Sequence, residues 1–350
     1  MLGDAANHPL RVAVTGGQGF LGSFLISSLL QRGYVVYCLC RENTEKRSGK
    51  GALGASEEKP ESAPVRVHYK YIRDICDEDA LAAVFREVDF VVHLAARAHK
   101  MHVQNDSELA EYDRVNHLGT LAVAKASRRA GVKRVVFISS IKVNGEQTFG
   151  KAFTPFDTPA PQDEYARSKM AAENVLKTEL DASETQWVIV RPPLIYGPNV
   201  KGNLVRLQQL IKSRLPLPLM SIHNKRSLVG VPNLCDFIAR CLGHPQAAGQ
   251  TFLVADGKEG MSTPALIKAM SHALGLRPFL IPVPEGLLKA LASWTGKSAL
   301  YSRLCGDLNV DISFACTQLQ WMPPFSVSEQ MGMAFGKNAE NVALLTKGHA

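Results

Sequence analysis

Apolar positions divide the chain into two unlike halves. From Arg11 to Arg191, short apolar runs alternate with longer amphipathic stretches. Arg11–Thr15, Tyr34–Cys40, Val65–Tyr71, Asp89–Ala96, Arg134–Ser140 and Trp187–Arg191 read as strands. Several are apolar at almost every position, as strands covered on both faces are. Helices are expected after the first run through Leu30, over Asp77–Arg86 with Asp77 as N-cap, over Glu108–Ala130 and over Gln162–Leu180. Strands alternating with helices predict an α/β fold, a doubly wound parallel sheet.

After Arg191 the alternation weakens. Helices are expected at Asn203–Arg214, Asn233–Leu242, Thr263–Leu274 and Pro284–Trp294, with a proline-rich stretch Leu215–Leu219 and a strand Thr251–Ala255. This half reads as a smaller C-terminal substrate-binding lobe. The expected organisation is a sheet domain over 10–192, a lobe over 193–336 whose segment 233–256 returns to the sheet domain, and a weakly ordered tail over 337–350. Residues 42–64, rich in Gly, Ser, Glu, Lys and Ala, read as a mobile insertion.

Composition narrows the partners. The 350 residues are 46% hydrophobic and 21% charged, ordinary for a soluble globular chain. A formal net charge of +8 favours anionic ligands. No basic run is interleaved with aromatics, so nucleic acid is not the expected partner. Seven cysteines occur without Cys-x-x-Cys spacing, and Cys38 and Cys40 alternate inside a strand, which suits a reducing cytosol. No metal site is expected. The N-terminal stretch has no apolar targeting core, and no apolar run reaches ~18 residues. A cytoplasmic protein with no integral membrane segment is expected.

Candidate chemistry sits at the turns. Thr15-Gly-Gly-Gln-Gly-Phe-Leu-Gly22 joins the first strand to the first helix. Glycines there permit a tight turn, close approach of a pyrophosphate and close helix packing, and the helix N-terminus offers free N–H groups to phosphate. Gly16, Gln18, Gly19, Phe20, Leu21 and Gly22 are therefore candidate cofactor ligands. The second strand ends in Cys40-Arg41. An Arg there suits the 2′-phosphate of NADP, whereas an acid would bind the ribose of NAD; Glu42, one residue on, keeps NAD(H) open. Asp74 and Ile75 lie where an adenine edge would fall, and Leu94, Ala95 and Ala96 are small enough at a strand tip to let a cofactor pass. His93, flanked by apolar residues, is expected to pack rather than react. Tyr165 and Lys169, four apart on a helix, share one face. A cation beside a phenol lowers its pKa, and the phenol can then exchange a proton with a carbinol or carbonyl oxygen.

These segments in this order, with Ser139-Ser140 at a strand tip and Arg191-Pro-Pro-Leu-Ile-Tyr-Gly-Pro198, resemble the extended short-chain dehydrogenase/reductase superfamily over about residues 10 to 330. The branch is that of NAD(P)-dependent nucleotide-sugar epimerases and dehydratases, built on a Rossmann-type sheet. The resemblance implies Tyr165 as acid/base, Lys169 as its pKa modulator and nicotinamide-ribose ligand, Ser140 as the hydrogen-bond partner of the reacting oxygen, Asn116 as the superfamily's helix Asn, and Pro192 beside the cofactor. Ser140 is preferred to Ser139 because Ser140-Ile-Lys-Val-Asn-Gly145 is similar to the family's Ser/Thr-x-x-Val-Tyr-Gly; Asn144 stands where the family has Tyr. Arg226 and Arg303 resemble the family's diphosphate ligands. Asn203 resembles a substrate-contacting position. Relatives dimerise through the helices expected at Glu108–Ala130 and Gln162–Leu180, so a homodimer is implied.

The departures bear on the reaction. Dehydratases of this branch carry Asp and Glu after the strand-tip Thr, where this chain has Ile141 and Lys142. Elimination therefore lacks its carboxylates, and Lys142 becomes a candidate substrate contact. A 4-ketoreductase and a 4-epimerase remain. Arg41 favours NADPH and net reduction, most similar to reductases making UDP-N-acetylquinovosamine-type sugars for surface polysaccharide such as O-antigen. A UDP-hexose or UDP-N-acetylhexosamine 4-epimerase with retained NAD is the alternative. A nucleotide-sensing protein without chemistry would be expected to lose one of Ser140, Tyr165 and Lys169, and all three are present.

Overall fold

The computed structural model describes residues 8–41, 67–97, 106–200 and 202–336. The expected insertion at 42–64, Glu42 with it, and the expected tail lie outside the described residues.

Seven parallel strands form one sheet in the order β3-β2-β1-β4-β5-β6-β9. They are β1 (Arg11–Thr15), β2 (Val35–Arg41), β3 (Val67–Ile72), β4 (Phe90–His93), β5 (Arg134–Ile138), β6 (Gln186–Arg191) and β9 (Gln250–Leu253). The order reverses beside β1, between β2 and β4. Ligands of such sheets bind at that switch point, outside the strands' carboxyl ends. Alternate strand residues feed opposite layers. Val12, Val14, Cys38 and Val92 pack with α1 (Phe20–Gln31) and a later helix, α7 (Val231–Gly243). Ala13, Leu39, Val91 and Phe137 pack on the other face with α2 (Glu78–Phe85), α4 (Gly119–Ala130) and α5 (Glu164–Leu180). Helices on both faces explain strands that are apolar throughout. Cys38 and Cys40 are buried on the first of these faces.

The stretch after Arg191 does more than turn the chain away. Leu194–Tyr196 is a strand (β7) paired in parallel with Leu228–Gly230 (β8). Around this pair pack α6 (Asn203–Lys212), α8 (Thr263–Ala273) and α12 (Val327–Phe335). The remaining helices are α9 (Glu285–Trp294), α10 (Ser298–Cys305) and α11 (Ser313–Leu319). Phe20, at the start of α1, packs against both the sheet core and this second core, so the glycine turn lies at the junction. Buried Asp256 ties that junction: it accepts from Tyr196 Oη at 2.7 Å, Asn233 Nδ2 at 2.9 Å, Gln330 Nε2 at 2.6 Å and the Gly230 N–H. No described helix is long and apolar enough to cross a membrane.

One expected helix is broken. Glu108–Ala130 is α3 (Asp106–Tyr112), a π-helical turn Asp113–Leu118, and α4. Such bulges widen a helix by one residue and re-aim a side chain. Here Asn116, inside the bulge, is turned inward and buried. At Gly119 a Cβ would lie 2.8 Å from Ile75 Cγ2, so the bulge is seated directly on the segment after β3. α5 starts at Glu164 rather than Gln162, because Asp163 caps it by accepting from Ala166 N at 2.7 Å.

Candidate active site

The glycine turn is shaped by contacts that admit no side chain. Gly16 adopts φ +71°, and a Cβ on it would lie 2.7 Å from Ala95 N. A Cβ on Gly22 would meet Gly16 O at 2.4 Å. The turn, the start of α1 and the tip of β4 are thus drawn together. Gln18 and Gly19 are exposed on the cradle's open side, and Gly19, the N-cap of α1, leaves the first-turn N–H groups without a side-chain cap. This cradle fits a dinucleotide pyrophosphate. Leu94, Ala95 and Ala96 continue from β4 as partly exposed residues beside it.

A hydrogen-bond chain holds that tip. Ala95 N donates to Thr15 Oγ1 at 3.2 Å, Thr15 Oγ1 meets His93 Nδ1 at 2.7 Å, and His93 Nε2 meets Thr120 Oγ1 at 3.0 Å. Thr120 donates its own proton to the Asn116 carbonyl at 2.6 Å. Thr120 therefore accepts from Nε2–H, and Thr15 donates to Nδ1, which fixes one neutral tautomer of His93. Burial, then the charge of Lys169, holds its pKa down at about 3. The ring stacks on Phe137 at 5.3 Å. His93 packs, and it also orients its neighbours.

Asn116 continues the chain. Its Oδ1 accepts from Arg97 N at 2.7 Å, and its Nδ2 donates to Ser168 Oγ at 2.9 Å. Ser168 in turn donates to the Tyr165 carbonyl at 2.8 Å. The side chain expected among the catalytic groups is thus spent on the backbone after β4 and on the helix that carries Tyr165.

At the β5 tip the two serines diverge. Ser139 is buried and donates to Glu173 Oε1 at 2.5 Å. Ser140 is partly exposed, caps the following 3₁₀ turn (Ile141–Val143) and shares a hydrogen bond with Tyr165. Glu173 also takes a two-pronged bond from Arg191, Nε to Oε1 at 2.9 Å and Nη2 to Oε2 at 2.5 Å. Arg191 Nη1 donates to Asn144 Oδ1 at 2.9 Å, and Asn144 Nδ2 to the Thr154 carbonyl at 2.9 Å. Asn144 is therefore a buried strut. Removing one member of a buried pair strands the other's charge. Glu173→Gln should lower the unfolding free energy by roughly 3–5 kcal/mol, read from the denaturant midpoint; an unchanged midpoint would show that the pair does not brace the site.

Lys142 Nζ lies between Glu146 Oε1 at 2.9 Å and Asp163 Oδ2 at 2.5 Å. It staples the Ser140 loop to the cap of α5 and so sets Ser140 against Tyr165. Tyr165 is half-buried with its ring 6.4 Å from that of Tyr112. Its pKa is pushed up to about 12, first by burial and then by Asp163, against the Ser140 hydrogen bond. Lys169 is not among the groups that set it. Lys169 is buried, donates to the Ile138 carbonyl at 2.7 Å and sits 4.1 Å from the centre of the Phe137 ring. Burial pulls its pKa down to about 7, against Glu173.

The other expected positions spread around this centre. Arg41 is the exposed last residue of β2 rather than the first beyond it, paired in register with Ile72. Asp74 accepts from Cys76 N at 3.1 Å and pairs with Arg114 Nη1 at 2.5 Å; the Cys76 N–H, then the Arg114 and Arg41 charges, hold its carboxyl low. Pro192 accepts from Ile141 N at 3.0 Å, so it closes the Ser140 turn from behind. Asn203 is exposed at the first turn of α6. Arg226 Nη1 donates to the Gly306 carbonyl at 2.9 Å. Gly306 directly follows α10, which carries Arg303, so the two arginine-bearing segments are neighbours; the Arg303 side chain lies outside the described residues. Among the described residues no group of three or more His, Cys, Asp or Glu could hold a metal ion.

A glycine turn at the switch point, a serine and tyrosine at neighbouring strand and helix ends, and a buried lysine behind them form one site of the kind a nicotinamide dinucleotide fits. A family model described as the NAD dependent epimerase/dehydratase family matches residues 12–255, and the chain belongs to that family. It is an enzyme of the nucleotide-sugar epimerase/dehydratase type, in the extended short-chain dehydrogenase/reductase superfamily. A UDP-glucose 4-epimerase of Vibrio cholerae is 38% identical over 324 residues, 92% of this chain and 93% of that one. The solved Thermus thermophilus UDP-glucose 4-epimerase in complex with NAD is 26% identical, with a TM-score of 0.66 over 93% of this chain and 98% of that one. The Thermotoga maritima UDP-glucose 4-epimerase with UDP-glucose, at 20% identity and TM-score 0.69 over 95% of this chain and all of that one, shares the fold.

Proposed function

We propose that this enzyme uses NADPH to reduce the C4 ketone of a UDP-linked 4-keto-6-deoxy-N-acetylhexosamine in the synthesis of a surface polysaccharide. The observation that carries the reading is Arg41, exposed as the last residue of β2, where a 2′-phosphate would be met. Against elimination, Ile141 is buried and Lys142 is held by two carboxylates.

A nicotinamide bound at the glycine turn would supply the hydride for C4. Ser140 and Tyr165 hydrogen-bond the carbonyl oxygen, stabilise the charge that develops there, and Tyr165 Oη donates its proton to the forming alkoxide. Lys169, buried behind the pair, would hold the cofactor ribose and favour the phenolate left behind. Arg226 and Arg303 meet the diphosphate, and Asn203 lies at the sugar side. Asn116, through Ser168, positions the Tyr165 turn. A homodimer through the α4 and α5 faces belongs to the same proposal.

A second reading, a 4-epimerase that keeps NAD bound, is favoured by the Vibrio cholerae relative and by the NAD in the Thermus thermophilus structure. Arg41→Asp tests the cofactor directly. A lost charge-assisted contact should weaken NADPH by roughly 10–100-fold and leave NADH nearly unchanged, as measured by fluorescence titration. Equal losses for both cofactors would remove Arg41 from the 2′-phosphate and leave the NAD reading in place.

A further inference from the structure

No residue of α9 is buried. Leu287, Leu291 and Trp294 fall at i, i+4 and i+7, on one face of the helix. They are exposed by 61%, 53% and 85%. α9 is tied to the body through α10, where Tyr301 Oη donates to Glu285 Oε1 at 2.8 Å. The segments leading into it are also apolar and exposed. Leu215, Met220 and Phe279 lie on two stretches that hydrogen-bond to each other, Leu217 N to the Phe279 carbonyl at 2.8 Å and Met220 N to the Ile281 carbonyl at 3.2 Å.

Charge is concentrated on the same part of the chain. Residues 203–235 hold five basic residues and no Asp or Glu; residues 260–306 hold five basic residues and one acid, Glu285. Together these exceed the formal net charge of +8, so the rest of the chain is net acidic. Lys212, Arg214, Arg277, Lys289 and Lys297 on these stretches are exposed.

We propose that α9 and the adjoining segments dock on an anionic lipid bilayer. Leu287, Leu291 and Trp294 enter the interfacial layer, and the surrounding Lys and Arg side chains meet anionic headgroups. An exposed apolar stripe ending in Trp, flanked by cations and almost without acids, is the pattern that lies in a membrane interface. A second copy of the chain fits less well, because it would bring the same positive charge. The one acid of the patch already accepts from Tyr301. The docking uses neither Ser140 nor Tyr165, so its test is independent of the reaction assigned above.

The test uses the full chain with vesicles of phosphatidylcholine alone and of phosphatidylcholine with phosphatidylglycerol. Wild-type protein should sediment with the anionic vesicles, be released by salt, and show a blue shift in tryptophan emission on binding. Leu291→Glu should weaken the vesicle partition roughly tenfold or more while leaving cofactor binding and melting temperature unchanged, since Leu291 is exposed. Trp294→Phe should remove the emission shift, because Trp187 and Trp321 lie elsewhere. Equal sedimentation with neutral and anionic vesicles, or a Leu291→Glu variant that binds like wild type, would overturn the proposal. So would a vesicle-independent dimer, seen by light scattering, that Leu291→Glu dissociates.

Discussion

Tyr165→Phe should fold and bind its nucleotides yet lose turnover by about 10²–10⁴-fold, the share of the rate that a positioned proton donor supplies. The change removes one oxygen from a ring that packs edge-on to Tyr112, so the packing survives. What disappears is the donor whose hydrogen-bond partner is Ser140. The loss should appear in kcat, and KM for the sugar nucleotide should move little. A Tyr165→Phe enzyme with near-normal kcat would take the proton transfer away from this residue. The rest of the site would then have to be reassigned with it.

Lys169→Met should abolish most turnover while stabilising the protein. Burial pulls the ammonium down from 10.5 to about 7, so the folded state carries this charge at a cost. The sign follows from proton binding. Between about 7 and 10.5 the unfolded chain holds a proton that the folded chain has released. Stability of the wild type therefore rises with pH through that window. Below pH 7 the charge is present in both states, and the full desolvation cost is felt. The gain from Lys169→Met should accordingly be largest below about pH 7 and shrink toward pH 10.5, as read from melting temperature against pH. A variant that is destabilised at every pH would show that Lys169 braces the fold rather than strains it. This is the expected trade between stability and function at a site that holds a buried charge in place.

Much of the scaffold was legible because short-range rules determine it. Gly16 must take a left-handed conformation against Ala95, and no other residue type fits there, so the turn announces itself. Strands apolar on both faces require helices on both faces, and the two cores show that division. What was hidden depends on partners far apart in the chain. The Ser140-Ile-Lys-Val-Asn-Gly145 spacing favours Ser140 over Ser139 but does not say what occupies Ser139. Glu173, contributed by α5, takes Ser139 and leaves Ser140 beside Tyr165. The π-helical turn ends where Gly119 sits on Ile75, a contact that no helical periodicity records. Lys142 reads as a candidate substrate contact, and its pairing with Asp163 and Glu146 is not visible in the spacing. His93 was legible as buried, but its role in linking Thr15 to Thr120 required strand and helix to be brought together. The pair β7–β8 went unread because three-residue strands carry too little pattern. Asp163, Glu173 and Thr15 carried no signal of their own beyond their closeness to motif residues.

The central claim is net reduction by NADPH at C4. The most direct measurement incubates the purified enzyme with a UDP-4-keto-6-deoxy-N-acetylhexosamine and NADPH and follows the nicotinamide absorbance, with UDP-glucose or UDP-N-acetylglucosamine in parallel without added cofactor. The account predicts stoichiometric loss of NADPH with the keto sugar and no isomer from the parallel incubations. Isomer formation there, with NADPH untouched by the keto sugar, would contradict it and establish a 4-epimerase instead.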